Sequence, residues 1–291
     1  MTLKGEKMRF IAFKEDGKLG MAVSQDGKTW KGLKVGDPGY PGNLEEILRA
    51  GEIVEAGKVL LQGRSVDLAE IEFLPPVSNA SKVICVGLNY ADHAAEGGSK
   101  VPDYPTVFAR FNSSLIGHGA PLVCPKVSEQ FDYEAEMVAI IGKGGRAISE
   151  AEALSHVAGY SVFNDGSVRD YQLRTPQWTI GKNFDGTGAF GPAFVTADEL
   201  EPGATGLRIQ TRLNGRVLQD ASTSDLVFSV ARLVSLISAA MTLEPGDVIV
   251  TGTPAGVGLG HKPPIFMKEG DVCEIEIEKI GLLSNPVVKE K

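Results

Sequence analysis

Apolar and polar residues alternate along much of this chain in short runs separated by glycine-containing turns, a pattern that predicts strands. MRFIAFKEDGKLGMAV (8–23) alternates on both sides of Asp16-Gly17, and a second Asp-Gly at 26–27 leads into TWKGL, so a small antiparallel meander is expected. IQTRLNGRVLQ (209–219) has the form of a hairpin on Asn214-Gly215. DVCEIEIEKI (271–280) sets Cys273, Ile275 and Ile277 against Glu274, Glu276 and Glu278, as in a half-buried strand near an edge with solvated glutamates. Helical spacing is rarer. NLEEILRAG (43–51) opens on Asn43 as its cap and stops at Gly51. SEAEALSHVAG (149–159) starts with the capping-box pair Ser149 and Glu152 and is expected to run to Gly159. LVFSVARLVSLISAAM (226–241) carries Leu226, Val230, Leu233, Val234, Ile237 and Met241 at helical spacing, with Glu244-Pro245-Gly246 as its stop. Strands and helices do not alternate regularly, which argues against a doubly wound sheet or a TIM barrel and for a mixed, mainly antiparallel β architecture.

Pro75-Pro76 and the polar SNASK (78–82) suggest a boundary, with a small α+β domain over 1–76 serving support or dimerisation and the main domain over 77–291. The chain has 291 residues, 43% hydrophobic and 23% charged, as in an ordinary soluble globular protein. A net charge of −8, without a basic stripe, argues against a nucleic-acid partner. The run 226–241 is interrupted by Arg232 and too short for a bilayer, and MTLKGEKMRF lacks the apolar core of a signal peptide, so no membrane partner is expected. Cys85, Cys124 and Cys273 are odd in number and far apart, which fits buried reduced thiols in a cytoplasmic protein.

Candidate chemistry begins in FDYEAEMVAIIGK (131–143). Residues two apart on a strand share a face, so Glu134 and Glu136 project together, and their face continues through Val138 and Ile140 into expected core. Two carboxylates at the mouth of an apolar face repel each other and lose solvation, a cost that a cation removes. Alone, the pair would more simply be the solvated face of an edge strand; Asp165, ending a second apolar strand, shifts the balance toward a metal site. All-oxygen ligation suits Mg²⁺ or Mn²⁺, with Ca²⁺ as a further candidate. In ICVGLNYADHAAEGG (84–98), His93 and Glu96 would share one face of a short helical turn, the arrangement of a base oriented by a carboxylate, although such pairs are more often ordinary surface contacts. Glycine pairs on both sides suggest a movable lid, and loops such as 97–118 are expected to shape the substrate pocket. Arg169, Gln172 and Lys182 follow Asp165 and suit an anionic, oxygen-rich substrate, with Lys182 expected in a loop. Thr253 lies in the loop after the strand in VIVTGTPAGVG (248–258), where its hydroxyl and the exposed backbone amides suit a substrate carboxylate. GTGAFG (186–191) matches a dinucleotide fingerprint formally, but Pro192 and AFVT follow where a helix is required.

The ordered set GLNYADHAAE, DYEAEMVAIIGK, FNDGSVRDYQ, GKNFDGTGAFGP, RLNGRVLQ and GDVIVTGTPAGVG, spread over roughly residues 80–290, closely resembles the fumarylacetoacetate hydrolase family. The resemblance implies a mixed, mainly β fold with a β-roll core, a few helices and a small N-terminal α+β extension, and a homodimer. It implies a divalent cation on Glu134, Glu136 and Asp165 and a water-activating pair in His93 and Glu96. Arg169, Gln172 and Lys182 match substrate- and oxyanion-binding positions, and Thr253 matches the TGTP loop. Many relatives carry Phe-x-Lys-Pro after the lid where this chain has VFARFNSS (107–114), so Arg110 is expected to take over the lysine's part in binding substrate. The implied activity is metal-dependent hydrolysis of a carbon–carbon bond in β-diketo acids such as acylpyruvates. Oxaloacetate-type decarboxylation or hydroxymuconate-type isomerisation stand as alternatives on the same site, and a non-catalytic protein binding metal and keto acid as a third.

Overall fold

The computed structural model of the chain describes residues 7–96 and 103–291, so the Gly97-Gly98 end of the expected lid, and the start of loop 97–118, lie outside the described residues. The central strand, Ala135–Ile141, is buried along its whole length. Its alternation divides the core: Met137, Ala139 and Ile141 face one hydrophobic cluster, and Val138 and Ile140 face another. A strand buried on both faces needs apolar residues on both, which is why MVAII (137–141), beyond Glu136, has no polar period.

Around it lies a large mixed sheet. In order it contains Lys31–Lys34, Lys18–Ser24, Arg9–Glu15, Gly188–Thr196, Val157–Asp165, Ala135–Ile141, Val248–Val250, Val83–Gly87 and Thr106–Arg110. A five-stranded sheet (Arg216–Ser222, Arg208–Leu213, Val272–Ile277, Gly281–Lys289, Leu122–Cys124) covers one face. Ile209, Ile275 and Ile277 pack there in the same cluster as Met137 and as Leu233 of the helix Val230–Ala240. The architecture is mixed and mainly β, as the sequence implies.

The N-terminal meander forms as expected, with Asp16 and Gly17 both at positive φ, and Asn43 and Glu46 complete a capping box on the helix Leu44–Ala50. The meander is continuous with the main sheet: Phe10 pairs with Phe194, and Met8 N donates to Thr196 Oγ1 at 3.1 Å. Met8 and Phe10 share a cluster with Val138 and Phe163.

Several expectations need correction. The helix expected over 149–159 is one turn, Glu150–Ala153, followed by a 3₁₀ turn to His156; Val157–Gly159 already belong to the next strand. Ser149 does not cap it. Its hydroxyl bonds the Glu152 side chain instead, at 2.8 Å. The later helix starts at Val230, because Ser229 accepts from Arg232 N as the N-cap. The strand Val272–Ile277 is interior to its sheet, and its glutamates stay solvated because they face outward, where Arg212 bridges Glu274 and Glu276 at 3.1 and 2.7 Å. A helix at Ile53–Leu61 was not expected from the sequence. Cys85 and Cys273 are buried, Cys124 is half-buried, and all three are free.

Strand direction decides where the chemistry collects. Val248–Val250 runs parallel to Val83–Gly87, so the segments following both leave at the same end of the sheet. Ala135–Ile141 is antiparallel to Val248–Val250 and to Val157–Asp165, so its own start and the end of Val157–Asp165 meet at that end too. Residues 88–96, 131–136, 165–182 and 251–260 are thereby brought together. At Gly159, where the strand Val157–Asp165 lies against Gly188–Thr196, an added Cβ would lie 2.2 Å from the Val195 carbonyl oxygen. We expect Gly159→Ala to cost about 1–3 kcal/mol through overpacking, read as a lower urea midpoint with unchanged m-value.

Candidate metal centre and cavity

Glu134, Glu136 and Asp165 are buried and offer oxygens that all lie within 4.8 Å of one another. The backbone sets this convergence: Ala135 pairs with Asn164, and Asp165 N donates to Glu134 O at 3.0 Å. Two of the three carboxylates have fixed cationic partners. Lys182 Nζ bridges Glu134 Oε2 at 2.7 Å and Asp165 Oδ2 at 2.6 Å. Arg169 Nη1 lies 2.6 Å from Glu134 Oε1, and Arg110 Nη1 lies 2.6 Å from Asp165 Oδ1. Glu136 accepts a 2.5 Å bond from Gly252 N and has no cationic partner among the described residues.

The titration behaviour follows from these partners. Burial raises the pKa of Glu134, but the opposing pull of Lys182 and Arg169 is larger and holds it at about 2. Burial and the neighbouring Asp165 and Glu134 push Glu136 well above the ordinary carboxylate range. Counting Asp132, four buried carboxylates face three buried cations, and the deficit falls on Glu136. A hard divalent cation fits this all-oxygen donor set and removes the deficit. The triad is interior, which disposes of the solvated-edge reading.

The triad opens into a cavity of about 250 Å³. Glu134, Glu136, Lys182, Arg169, Gln172 and Thr253 lie in its wall, as do His93 and Glu96 from the short helix Ala91–Glu96. His93 Nδ1 stands 3.5 Å from Glu96 Oε2, and both Glu96 oxygens accept from Gly256 N at 3.2 Å. Those contacts hold the Glu96 pKa below its ordinary value against the opposing effect of its burial. Lys182 ends a short helix, Thr179–Lys182, rather than lying in a loop. Gln172 Oε1 accepts from Arg169 Nη1 at 2.9 Å, which turns its amide nitrogen away from the guanidinium. Thr253 Oγ1 accepts from Gln219 Nε2 at 2.8 Å, leaving its hydroxyl proton free to donate.

Arg110 is placed differently from the other candidates. Its guanidinium is fully buried behind Asp165, bonding Asp165, Gly166 O and Thr187 Oγ1, and it contributes nothing to the cavity wall. The rest of the lining is largely apolar, with Val86, Phe108, Leu173, Trp178, Val257 and Leu259, and Lys182 Nζ lies 5.0 Å from the centre of the Phe108 ring. Trp178 lies edge-on to Phe108, with ring centroids 5.5 Å apart, and flush on Gly87, where a Cβ would meet the indole at 2.3 Å. Three supporting residues were not foreseen. Asp132 binds Arg169 and the 258–259 amides, Gln219 holds Thr253 and Pro254 O, and Asn89 holds Phe228 and Thr251 O. Asp132 had a signal in the sequence, since it extends the Glu134/Glu136 alternation by one step.

The sequence profile described as "Fumarylacetoacetate (FAA) hydrolase C-terminal" matches residues 82–288. The chain belongs to the fumarylacetoacetate hydrolase family. It is 40% identical to a mitochondrial oxaloacetate tautomerase of Xenopus laevis over 97% of this chain and 90% of that protein. Its fold superposes on fumarylacetoacetate hydrolase from Exiguobacterium antarcticum with a TM-score of 0.85 at 36% identity, covering 97% of this chain and all of the other. A 5-carboxymethyl-2-hydroxymuconate delta-isomerase from Mycobacterium smegmatis gives 0.77 at 34% identity, covering 97% and 99%. GTGAFG lies on and before the strand Gly188–Thr196, the course its sequence suggested, and no helix among the described residues is long and apolar enough to cross a membrane.

The deficit at Glu136 predicts a linked response to pH and metal. The folded, metal-free protein holds a proton on Glu136 that the unfolded chain gives up near its ordinary value of 4.5. Its stability should therefore fall as pH rises above that value toward the raised one, while the contribution of Glu134 stays constant. Mg²⁺ should release that proton to the buffer, seen as a buffer-dependent calorimetric enthalpy, and Glu136→Ala should abolish both the heat and the proton release.

Proposed function

We propose that this chain moves a proton on the carbon beside the keto group of a 2-oxo acid, interconverting the keto and enol forms of an oxaloacetate-type diacid. The observation that carries this reading is the His93 imidazole, with Nδ1 3.5 Å from Glu96 Oε2, in the wall of the cavity that Glu134 and Glu136 also line. The tautomerase similarity over nearly the whole chain supports it.

Glu134, Glu136 and Asp165 would hold the cation, proposed as Mg²⁺ or Mn²⁺, which when bound supplies Lewis acidity toward the keto oxygen. The rest falls to side chains. Arg169 Nη2, buried and without a partner, receives the substrate carboxylate together with the Gln172 amide. His93 turns Nδ1 toward Glu96, so Nε2 takes the proton from C3, and Glu96 stabilises the imidazolium. The carbon–hydrogen pair collapses into the C2–C3 double bond, and the same proton is delivered to the oxygen at C2. Nothing is consumed. Lys182 and the Thr253 hydroxyl donate toward the growing negative charge on that oxygen.

Hydrolytic carbon–carbon cleavage, the activity first expected, is the second reading. The apolar wall of Phe108, Leu173 and Trp178 favours it, because an acyl substituent fits there better than a second carboxylate. In that case His93 takes its proton from water, hydroxide adds to the distal carbonyl, and scission yields a carboxylic acid and pyruvate.

A homodimer and a cytoplasmic location are also proposed, the first from the family resemblance and the second from the three free thiols; sedimentation equilibrium checks the first.

The Mg²⁺-loaded protein should speed the decay of enol absorbance in oxaloacetate, and EDTA should stop it. His93→Ala should lower kcat by about 10²–10⁴-fold with metal content unchanged. Pyruvate release from acetylpyruvate without oxaloacetate tautomerisation would select hydrolysis, and CO₂ release would select decarboxylation. Silence on all substrates with metal bound would leave a keto-acid binding protein.

A further inference from the structure

Asp132 is fully buried and belongs neither to the metal triad nor to the cavity wall, yet every lone-pair direction of its carboxylate is engaged. Oδ1 accepts from Tyr133 N at 2.8 Å and Gly258 N at 2.7 Å. Oδ2 accepts from Leu259 N at 2.9 Å and Arg169 Nε at 2.8 Å. We infer that Asp132 is a positioning residue that locks the Arg169 guanidinium and the loop 256–260 into one unit, so that substrate-carboxylate binding and docking of the His93–Glu96 helix are set together.

Each side of the link has a defined geometry. On one side, Arg169 is held at Nε by Asp132 and at Nη1 by Glu134 and Gln172, which leaves Nη2 buried and unpartnered. A planar fork fixed at two corners has no rotation left, so Asp132 determines where Nη2 points. On the other side, Gly258 and Leu259 continue into Gly260, against which Glu96 packs so closely that a Cβ there would lie 2.3 Å from its carboxyl carbon. Gly256, two residues before Gly258, donates to both Glu96 oxygens. Loosening the loop at 258–259 therefore shifts the surface on which Glu96, and through it His93, rests. Tyr133 offers an independent hold on the same loop, donating its hydroxyl to Gly256 O at 3.1 Å without touching Arg169.

This inference rests on the proposed role of Arg169 as receptor for the substrate's carboxylate, and the test separates the two. Amide hydrogen exchange is measured on Mg²⁺-loaded protein for wild type, Asp132→Ser, Arg169→Lys and the double variant. Lysine has no Nε–H, so Arg169→Lys alone should accelerate exchange at residues 256–260 several-fold, and in the Asp132→Ser background it should add nothing. Unchanged exchange in Arg169→Lys, or effects that multiply in the double variant, would overturn the coupling whatever the enzyme turns over. Should Asp132→Ser not fold, Asp132→Asn takes its place.

The second arm uses oxalate, a planar dianion shaped like an enolised 2-oxo acid head. Asp132→Ser and Arg169→Lys should each weaken its calorimetric affinity by about 10–100-fold, with no further loss in the double variant. Tyr133→Phe should loosen the loop yet bind oxalate as wild type does. Loss of affinity in Tyr133→Phe equal to that in Asp132→Ser would assign the effect to the loop alone and refute the positioning of Arg169. Failure of the functional reading appears instead as wild-type protein that ignores both oxalate and oxaloacetate while the exchange coupling persists.

Discussion

Buried charge balance governs this structure. Four carboxylates, Asp132, Glu134, Glu136 and Asp165, sit out of water against Arg110, Arg169 and Lys182. An unpaired charge in such surroundings costs several kcal/mol, so each partner must be placed closely and kept there. The surrounding strands do that placing: the rim where the segments converge is walled by Ala135–Ile141 and its neighbours, whose apolar faces exclude water from the cluster. Pairing is complete for every acid but Glu136, which has only the Gly252 amide. The fold thus keeps one local instability, at the position where a cation of the right size relieves it.

Around that cluster the site has two unlike halves. One is charged and rigid, with guanidinium and ammonium groups bonded at several corners. The other is made of aromatic and aliphatic side chains, and meets the first where Lys182 Nζ lies 5.0 Å from the centre of the Phe108 ring. The loop 251–260 spans both, since Gly252 bonds Glu136, Thr253 faces the cavity, Gly256 meets Glu96 and Gly258–Leu259 meet Asp132.

Much of this was legible in the chain because it depends on short-range geometry. Two residues on a strand share a face, so the convergence of Glu134 and Glu136 followed from the sequence alone, and the hairpin at Asn214-Gly215 forms with both residues at positive φ. Asp165, His93 and Lys182 were legible as candidate chemistry in their own segments, but that they meet at one site rested on the family resemblance, because nothing local says that residues tens of positions apart will converge. Arg110 shows the limit of reading by charge. A cation near a proposed anion site looks like a substrate-binding group, but only the packing reveals that it stands behind Asp165, neutralising that carboxylate and staying out of the cavity wall. Asp132 was overlooked although it extends the alternation of Glu134 and Glu136, because its bonds to Arg169 and to the amides of Gly258 and Leu259 join segments far apart in the chain. The helix Ile53–Leu61 escaped because Gly57 interrupts its pattern, and 157–159 were read as helix because local propensity said nothing of the strand partners waiting for them.

Trp178 is half-buried on the bare backbone of Gly87 and follows the exposed stretch 173–177 between two short helices. A side chain mounted in this way is separately replaceable. Exchanging it, or lengthening its stretch, reshapes what the cavity admits without adding or subtracting one charge from the buried cluster. The scaffold thereby keeps the residues that shape the cavity apart from those that balance its buried charge.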